Sequence, residues 1–327
     1  MAVVLVTGGA GYVGSHACKA LKSAGHNPVV FDNLSTGWRD AVRFGELIVG
    51  DLSNADDLNK AFQQTQPDAV MHFAAFSNVG ESVRKPDLYW QNNVGGSLNL
   101  FRSMQMHGVS RIVFSSTCAT YGEAGSGNLD ETHPQNPINA YGRTKLAVEH
   151  LLTDFEIGFG IHHAVFRYFN AAGASADRDI GEHHEPETHL IPLALDAISG
   201  RRDKLTVFGT DYPTPDGTCI RDYIHVSDLA DAHVRGIDWL LDGGDSLALN
   251  LGSGHGFSVR EVMDTASRVT GMTCPHEEGP RRPGDPPRLV SGSQLAEDLL
   301  GWQVKYSALD QIISDAWAWH QTGKYGH

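Results

Sequence analysis

Cysteine is scarce in this sequence, with four residues among 327, and no two of them form a Cys-x-x-Cys pair. Because Cys18, Cys118, Cys219 and Cys274 are scattered, they indicate neither a disulfide framework nor a zinc site. We therefore expect free thiols and a cytoplasmic protein. Long apolar runs are also lacking, since Ala2–Val6 is too short for a signal segment and no stretch approaches the length of a membrane span.

Basic residues are few, because 25 Lys and Arg stand against 39 Asp and Glu, for a formal net charge of −14. A nucleic acid or an anionic membrane requires a basic surface that neutralises its phosphates. The composition therefore argues against both partners. A small anionic ligand stays compatible with it, because a few arginines suffice to bind one.

The first half of the chain alternates short β-branched runs with longer amphipathic segments. This pattern is typical of a parallel sheet with helices on both faces, so we predict an α/β fold with a doubly wound parallel (Rossmann) sheet and a second, smaller α/β domain. The predicted strands are Val3–Val6, Val29–Phe31, Leu47–Val49, Ala69–Phe73, Arg111–Ser115 and His163–Tyr168. The predicted helices begin near Tyr12, Ala55, Asp87 and Tyr141.

A glycine-rich turn joins the first predicted strand to the first helix, with the sequence TGGAGYVG at Thr7–Gly14. Such glycines allow a tight turn and the close approach of backbone to a pyrophosphate at a helix N terminus. Asp32 closes the second strand, 32 − 14 = 18 positions after Gly14, where a carboxylate accepts the ribose hydroxyls and repels a 2′-phosphate. The pattern predicts NAD rather than NADP. Asp51 is compatible with binding the adenine amino group and equally with an exposed loop.

Two polar motifs follow later strands, Ser115-Ser116-Thr117 and the YGRTK sequence at Tyr141–Lys145. Open α/β sheets bind ligands at the carboxyl ends of their strands. A Tyr and a Lys four residues apart share one helix face, so the Lys145 ammonium can approach the Tyr141 phenol. Because nearby positive charge lowers a phenol pKa from about 10, we expect Tyr141 to act as a base near neutrality when Lys145 and an oxidised nicotinamide lie beside it.

Domain boundaries are predicted from a change of texture after Asn170, where Gly, Pro, His and Asp become frequent. Helix Val226–Leu241 and strand Leu247–Leu251 look regular enough to rejoin the first domain. We predict an NAD-binding Rossmann domain of residues 1–175 and 223–253. Residues 176–222 and 254–327, with the Pro-rich stretch Pro280–Pro287, would form the substrate domain.

Taken together, the motifs resemble those of the extended short-chain dehydrogenase/reductase family and, within it, the UDP-sugar 4-epimerases. The resemblance covers nearly the whole chain. It is carried by TGGAGYVGSH at Thr7–His16, DNLS at Asp32–Ser35, HFAA at His72–Ala75, VGESV at Val79–Val83, NNVGG at Asn92–Gly96, YGRTK at Tyr141–Lys145, RYFNAAGA at Arg167–Ala174 and DGTCIRDYIHVSDLA at Asp216–Ala230. In addition, FSSTCATYG at Phe114–Gly122 is similar to bacterial epimerases that serve exopolysaccharide synthesis.

The resemblance implies an isomerase that interconverts UDP-glucose and UDP-galactose through a 4-keto sugar, using tightly bound NAD. It implies Tyr141 as the base, Lys145 as its partner and Thr117 as the hydrogen-bond partner of the sugar O4. The implied NAD contacts are Gly8, Gly11, Tyr12, Val13, Gly14, Asp32, Asn33, Asp51, Leu52, Phe73, Ala74, Ala75, Asn92, Ser115, Tyr141, Lys145 and Tyr168. The implied UDP-sugar contacts are Thr117, Tyr141, Asn170, His189, Leu190, Thr206, Phe208, Arg221, Tyr223, Arg282, Asp285 and Leu289.

Three positions depart from the family pattern. Ser77 replaces a lysine that some members carry, His189 stands where several have asparagine, and Leu289 is intermediate between the bulky and small residues that set sugar size. The stretch Gly181–His189 is rich in His and Glu, but its spacing matches no metal-binding HExxH helix. We expect no metal there, and the resemblance implies a loop that covers the substrate.

Other functions remain to be weighed against this one. A 4-epimerase of UDP-xylose and UDP-arabinose is compatible, because nothing in the sequence demands the C6 hydroxymethyl group. A sugar-nucleotide 4,6-dehydratase is disfavoured, because Cys118 and Ala119 stand where it needs an Asp-Glu pair. A non-catalytic NAD-binding scaffold has no need of Thr117, Tyr141 and Lys145 together.

A homodimer is expected, both from the resemblance and from the predicted helices near Asn92–Met106 and Tyr141–Phe155. These helices carry apolar residues on more than one side. The candidate interface residues are Leu98, Phe101, Leu146 and Leu152, although core packing explains each of them equally well.

Overall fold

The computed structural model describes residues 1–123, 127–282, 285–322 and 325. Pro283 and Gly284, which belong to the Pro-rich stretch noted above, lie outside the described residues. The strands are β1 Val3–Thr7, β2 Asn27–Asp32, β3 Glu46–Val49, β4 Ala69–His72, β5 Arg111–Thr117, β6 His162–Tyr168, β7 Asn170–Ala172, β8 Leu205–Phe208, β9 Ile220–His225, β10 Leu247–Leu251, β11 Gly256–Ser258, β12 His276–Gly279 and β13 Arg288–Leu289.

The helices begin at or next to the residues expected from the sequence. The helix expected near Asp87 begins at Pro86 as a short helix and continues through a π-helical turn at Trp90–Gly95 into a longer helix. The helices are α1 Tyr12–Ser23, α2 Ala55–Thr65, α3 Val79–Arg84, α4 Pro86–Tyr89, α5 Gly96–Met106, α6 Ala140–Phe159, α7 Leu190–Ile198, α8 Val226–Leu241, α9 Val259–Thr270, α10 Gln294–Leu300 and α11 Leu309–Thr322. Single 3₁₀ turns lie at Arg39–Ala41 and Cys118–Thr120.

Seven parallel strands of the described chain form the main sheet in the order β10-β6-β5-β4-β1-β2-β3. The chain runs outward from β1 to β3, then returns to the other side of β1 with β4. The strand order therefore reverses between β1 and β4, and in such sheets ligands bind at the carboxyl ends beside this switch point. The predicted doubly wound fold is confirmed.

Alternate residues of the strands face two separate hydrophobic cores, as the pleat requires. Val4 and Val6 pack with Leu21 of α1 and Ile237 of α8. On the opposite face Leu5 packs with a second set of helical residues from α2, α5 and α6, namely Phe62, Phe101 and Leu152. Helices therefore cover both faces, and burial of this kind is the main source of stability for a parallel sheet.

A smaller unit is built around β9, which pairs with β7, β11 and β13, and around the pair β8 and β12. Its core joins α7, α9 and α11. β10 pairs with β6 and so lies in the main sheet. β9 runs across the predicted boundary between residues 222 and 223, and β7 lies before the predicted boundary at 175. The two-domain division therefore stays a prediction. In the residues that the structure describes, no helix is long and apolar enough to cross a bilayer.

Candidate active site

The turn between β1 and α1 requires glycine at two positions. Gly8 has a φ of +76°, and a Cβ at this residue would lie 2.5 Å from the amide nitrogen of Ala74. A Cβ at Gly14 would lie 2.2 Å from the carbonyl oxygen of Gly8. The N-cap residue of α1 is Gly11, which has no side chain to accept hydrogen bonds from the free amides of the first turn. The helix N terminus, with its partial positive charge, is therefore suited to an anionic group such as a pyrophosphate.

Acidic residues at the ends of β2 and β3 stand beside this turn. The Asp32 carboxylate accepts hydrogen bonds from the backbone amides of Ala10 at 3.0 Å and Leu34 at 2.8 Å. Burial raises the pKa of Asp32, and the two amide hydrogen bonds oppose that rise. Asn33 donates to Asp51 at 2.7 Å, and hydrogen bonds from Asn33 and Ser53 lower the pKa of Asp51. The turn and these carboxylates fit the pyrophosphate, ribose and adenine of NAD.

The loop after β4 closes the other side of the switch point. The backbone amides of Phe73 and Ala74 both donate to the Thr7 carbonyl, at 2.9 and 3.1 Å. The side chain of Asn93, next to Asn92, exchanges two hydrogen bonds with the backbone of Phe76 in this loop. It also donates to the Thr144 hydroxyl of α6 at 3.1 Å. The contacts therefore bring Gly8, Phe73 and Ala74 together and connect their loop to the helix that carries Tyr141. Val13, Leu52 and Ala75, which were also predicted to contact the cofactor, have aliphatic side chains that make no hydrogen bonds. Leu52 is buried in the hydrophobic core on one face of the main sheet.

Thr117, Tyr141 and Lys145 lie at the carboxyl end of β5 and on the first turns of α6. The side chain of Asn139 caps α6 by accepting a hydrogen bond from the Gly142 amide at 2.8 Å, which fixes where the helix begins. The Lys145 ammonium donates to the Ser115 carbonyl at 2.7 Å and lies 4.9 Å from the centre of the Phe114 ring. Ser115 and Tyr168 share a hydrogen bond between their hydroxyl groups at 2.6 Å.

Burial dominates the electrostatics of this pair. It raises the pKa of Tyr141 above its ordinary value, with a further increase from the Tyr168 phenol and a decrease from the Thr117 hydroxyl. It also lowers the pKa of Lys145 to about 7, against the negative charge of Glu149. The expectation of a lowered Tyr141 pKa concerned the phenol with both Lys145 and an oxidised nicotinamide beside it, and for that complex it stays a prediction. The same desolvation that raises the phenol pKa suppresses the ammonium charge that would counter it.

A buried ion pair beneath the two residues was not anticipated from the sequence. Glu149, one helical turn after Lys145, contacts Arg167 of β6 at 2.7 Å, and the two side chains are only 7% and 9% exposed. Glu149 also accepts hydrogen bonds from Ser116 and Gln135. Arg167 donates to Tyr121, whose hydroxyl donates to Asn250. One signal in the sequence could have pointed to Glu149. Tyr141, Lys145 and Glu149 follow one another at intervals of four residues and so share one face of α6.

Strand β9 collects residues that were predicted to contact a UDP-sugar. Arg221 and Tyr223 are two residues apart and so point to the same face. Tyr223 is in register with Asn170 of β7, and Arg221 with Leu289 of β13. Arg221 forms an ion pair with Asp285. These residues come from three separate parts of the sequence, and the sheet around β9 brings them together.

Two contacts place this group relative to the rest of the site. Leu289 and Cys118 pack against the same small cluster around Phe169 and Tyr121, so Leu289 lies near the residue that follows Thr117. The Arg282 guanidinium stacks on the Phe208 ring at 4.1 Å. Thr206 was also predicted to contact the UDP-sugar, and its hydroxyl donates to Glu277 at 3.3 Å. Leu190 begins α7 with His189 as its N-cap, and His189 makes ion pairs with two glutamates.

Sequence and structure comparisons decide the family. The sequence profile of the NAD dependent epimerase/dehydratase family matches residues 4–252. The chain belongs to this family. Its resemblance to the short-chain dehydrogenase/reductase epimerases, its NAD dependence and its epimerase class are confirmed.

Relatives within this family match over nearly the full chain. The UDP-glucose 4-epimerase of Rhizobium leguminosarum bv. trifolii is 52% identical over 317 residues, which are 97% of each chain. The solved UDP-glucose 4-epimerase of Brucella ovis, in complex with NAD, has a TM-score of 0.95 at 49% identity and covers 97% of this chain and 98% of its own. The Stenotrophomonas maltophila enzyme, with bound NAD and formylated UDP-arabinopyranose, has a TM-score of 0.94 at 39% identity, with 98% of each chain covered.

Proposed function

We propose that this protein is an NAD-dependent UDP-glucose 4-epimerase, which interconverts UDP-glucose and UDP-galactose through a 4-keto intermediate. The observation that carries the proposal is that Thr117 ends β5, Tyr141 and Lys145 lie on the first turns of α6 with Lys145 bonded to the Ser115 carbonyl, and Leu289 beside β9 packs against the same cluster as Cys118. The named activity of the relatives over 97% or more of this chain supports it.

The cofactor site is assigned to the glycine turn, Asp32, Asp51 and the Phe73–Ala75 segment. The buried carboxylate of Asp32 at the end of β2 suits two ribose hydroxyls. When bound, NAD supplies a hydride acceptor for C4 and a positive charge that favours the phenolate form of Tyr141. Because an epimerase must reduce its intermediate again, we expect this site to retain its cofactor through the reaction.

The proton transfer is assigned to Tyr141, which removes the proton of the sugar 4-hydroxyl and later returns it. Thr117 holds the O4 atom by a hydrogen bond, and Lys145 adds positive charge near the phenol. Burial raises the pKa of free Tyr141, and positive charge from Lys145 and the bound cofactor opposes that rise. Proton removal is therefore favoured in the complete complex.

The nucleotide is assigned to the β9 sheet and the residues around it. Arg221 and Arg282 bind the diphosphate oxygens, because guanidinium groups make charge-assisted hydrogen bonds to phosphates. Asn170, Tyr223 and Phe208 hold the uridine. Firm anchoring of the UDP leaves the 4-keto sugar free to rotate, so that its opposite face is reduced and the configuration at C4 is inverted.

A second candidate is 4-epimerisation of UDP-pentoses. The observation that favours it is the partly buried Leu289, which packs beside Cys118 and Phe169 and contributes only one aliphatic side chain to the space beside Thr117. A pentose lacks the C6 group and is smaller than a hexose. The Stenotrophomonas maltophila relative was solved with a formylated UDP-arabinopyranose.

The chain is further proposed to act as a homodimer in the cytoplasm. Phe101 and Leu152 are fully buried in the protein's own core, so their selection as interface residues was wrong. Leu98 and Leu146 are only partly buried and remain candidates. Exposed Trp90, between α4 and α5, adds an apolar surface next to them. Sedimentation velocity at micromolar concentration tests the assembly, and a monomer would contradict it.

The function is tested by coupled assays of the purified protein on UDP-glucose, UDP-galactose, UDP-xylose and UDP-arabinose. The expected result is interconversion of the hexoses, with NAD released on denaturation of protein that was never given cofactor. Turnover of pentoses alone would favour the second candidate. Tight ligand binding without turnover of any of the four sugars would contradict an epimerase.

A further inference from the structure

We propose that Glu182, His184, Glu187 and His189 form a binding site for a divalent transition-metal cation, with Zn²⁺ the best fit. Each of the four side chains offers one ligand atom, and these atoms all lie within 4.8 Å of one another. The residues belong to the segment between β7 and α7. The test of linear HExxH spacing missed them because a folded loop, and not a helix, brings them together.

The separations between the ligand atoms suit a tetrahedral centre. Metal–ligand distances of about 2.0–2.1 Å place adjacent ligands of a tetrahedron about 3.3–3.4 Å apart. His184 Nδ1 lies 3.4 Å from Glu182 Oε1 and 3.6 Å from Glu187 Oε2, and His189 Nδ1 lies 3.4 Å from Glu187 Oε1. His189 Nδ1 is closer to Glu182 Oε1, at 2.7 Å. Three of these four His–Glu contacts, in which Glu187 offers a different oxygen to each histidine, therefore lie within about 0.3 Å of the tetrahedral separation.

Ion pairing holds these atoms close together without aligned hydrogen bonds. Glu182 Oε1 lies 2.7 Å from His189 Nδ1 and 3.4 Å from His184 Nδ1, yet Glu182 Oε1 and His184 Nδ1 are buried and make no hydrogen bond of acceptable geometry within the described chain. The Glu182 side chain is only 6% exposed. A buried polar atom that lacks an aligned hydrogen bond is costly, and atoms that converge on one point in this way are suited to a shared cation.

The ligand set determines the class of cation. Two imidazole nitrogens and two carboxylate oxygens suit Zn²⁺ and similar first-row metals, whereas Mg²⁺ and Ca²⁺ prefer oxygen ligands alone. The site lies close to the glycine turn, because the His184 ring meets the Tyr12 ring edge to face, with centroids 6.3 Å apart. Trp319 of α11 donates to the Glu182 carbonyl at 3.0 Å. A bound cation would therefore fix the conformation of a loop that contacts α1 and α11, and this does not depend on the epimerase reaction.

The test uses untagged full-length protein, stripped with a chelator and titrated with Zn²⁺ alone by calorimetry and by competition with a chromophoric chelator. We expect one tight Zn²⁺ per chain, an intense four-coordinate visible spectrum with Co²⁺, and no comparable binding of Mg²⁺. His184→Gln and Glu187→Gln each remove one ligand, and Glu187→Gln keeps an acceptor for the Thr188 and His189 amides. Since even the partners of metal ligands are worth about 10–100-fold in affinity, each variant should weaken binding by at least about 100-fold.

His133→Gln is the matched control, because His133 forms an exposed pair with Asp130 at 3.1 Å, outside the loop. It should bind Zn²⁺ like the unmodified protein. The proposal is overturned if His133→Gln weakens binding as much as the loop variants do, or if the loop variants keep full affinity. A six-coordinate Co²⁺ spectrum of the unmodified protein would also overturn it, and this readout does not depend on how the variants fold.

Discussion

Replacing Glu149 by glutamine tests the electrostatics beneath Tyr141 and Lys145. The change removes the negative charge and keeps the size of the side chain, while Arg167 stays buried with three hydrogen bonds to that carboxylate in the native structure. Leaving a buried charge without its partner costs about 3–5 kcal/mol. Glu149→Gln should therefore lower the unfolding free energy by about that amount, measured by chemical denaturation.

The same substitution should change the pH dependence of activity, with a sign set by Lys145. The pKa of Lys145 is about 7 because burial lowers it and Glu149 raises it. Without the Glu149 charge the Lys145 pKa falls further. If the Lys145 pKa falls by about one unit, the fraction of Lys145 that is cationic decreases about twofold at pH 6 and about tenfold at pH 8. The loss in kcat should therefore grow as pH rises from 6 to 8.

Asp231→Asn is the matched control for both measurements. Asp231 pairs with Arg235 one helical turn away at 2.8 Å, but the two side chains are 39% and 36% exposed. Such surface pairs contribute only about 0.3–0.5 kcal/mol. The reasoning fails if Glu149→Gln is no less stable than Asp231→Asn, or if its kcat relative to the native enzyme is constant between pH 6 and 8.

Three further predictions concern the proposed site. Tyr141→Phe should keep NAD bound and lower epimerisation at least about 10²-fold, as measured by coupled assay; near-full turnover would exclude Tyr141 as the base. Leu289→Ser should raise, and Leu289→Tyr should lower, turnover of UDP-N-acetylglucosamine relative to UDP-galactose by about 10–10²-fold, because one aliphatic contact is worth about 1–3 kcal/mol; an unchanged ratio would exclude Leu289 as the gate. Asp32→Ala should reduce the NAD content of the purified protein, assayed after denaturation, and full retention would place the ribose elsewhere.

Local patterns were sufficient to predict most of the main sheet. Val226–Leu241 and Leu247–Leu251 have the bounds expected from the sequence, because apolar periodicity and nearby turn residues determine where such elements begin and end. The helix expected near Asp87 begins at Pro86, but the sequence does not predict the π-helical turn at Trp90–Gly95 that follows it. Nothing in the local pattern of apolar residues signals an extra residue in one helical turn.

The parts of the site that depend on distant contacts could not be predicted. The pair of Glu149 and Arg167 joins α6 to β6, and its burial is visible only once the sheet is assembled. The pKa shifts of Tyr141 and Lys145 in the protein without cofactor could not be predicted for the same reason, because sequence spacing places the two residues together but does not reveal how deeply both are buried. Spacing predicts neighbours, whereas desolvation depends on the whole fold.

The register of β9 limits where the chain tolerates the insertion of a residue. Arg221 and Tyr223 face the site only because they are paired with Leu289 and Asn170. Inserting one residue between Arg221 and Tyr223 would place their side chains on opposite faces of the strand, so the chain could fold and still lose the proposed nucleotide site. An insertion in the turn Asp211–Gly217, which precedes β9, leaves that pairing intact. Tolerance to insertion should therefore fall sharply within a few residues, at the point where the turn becomes strand.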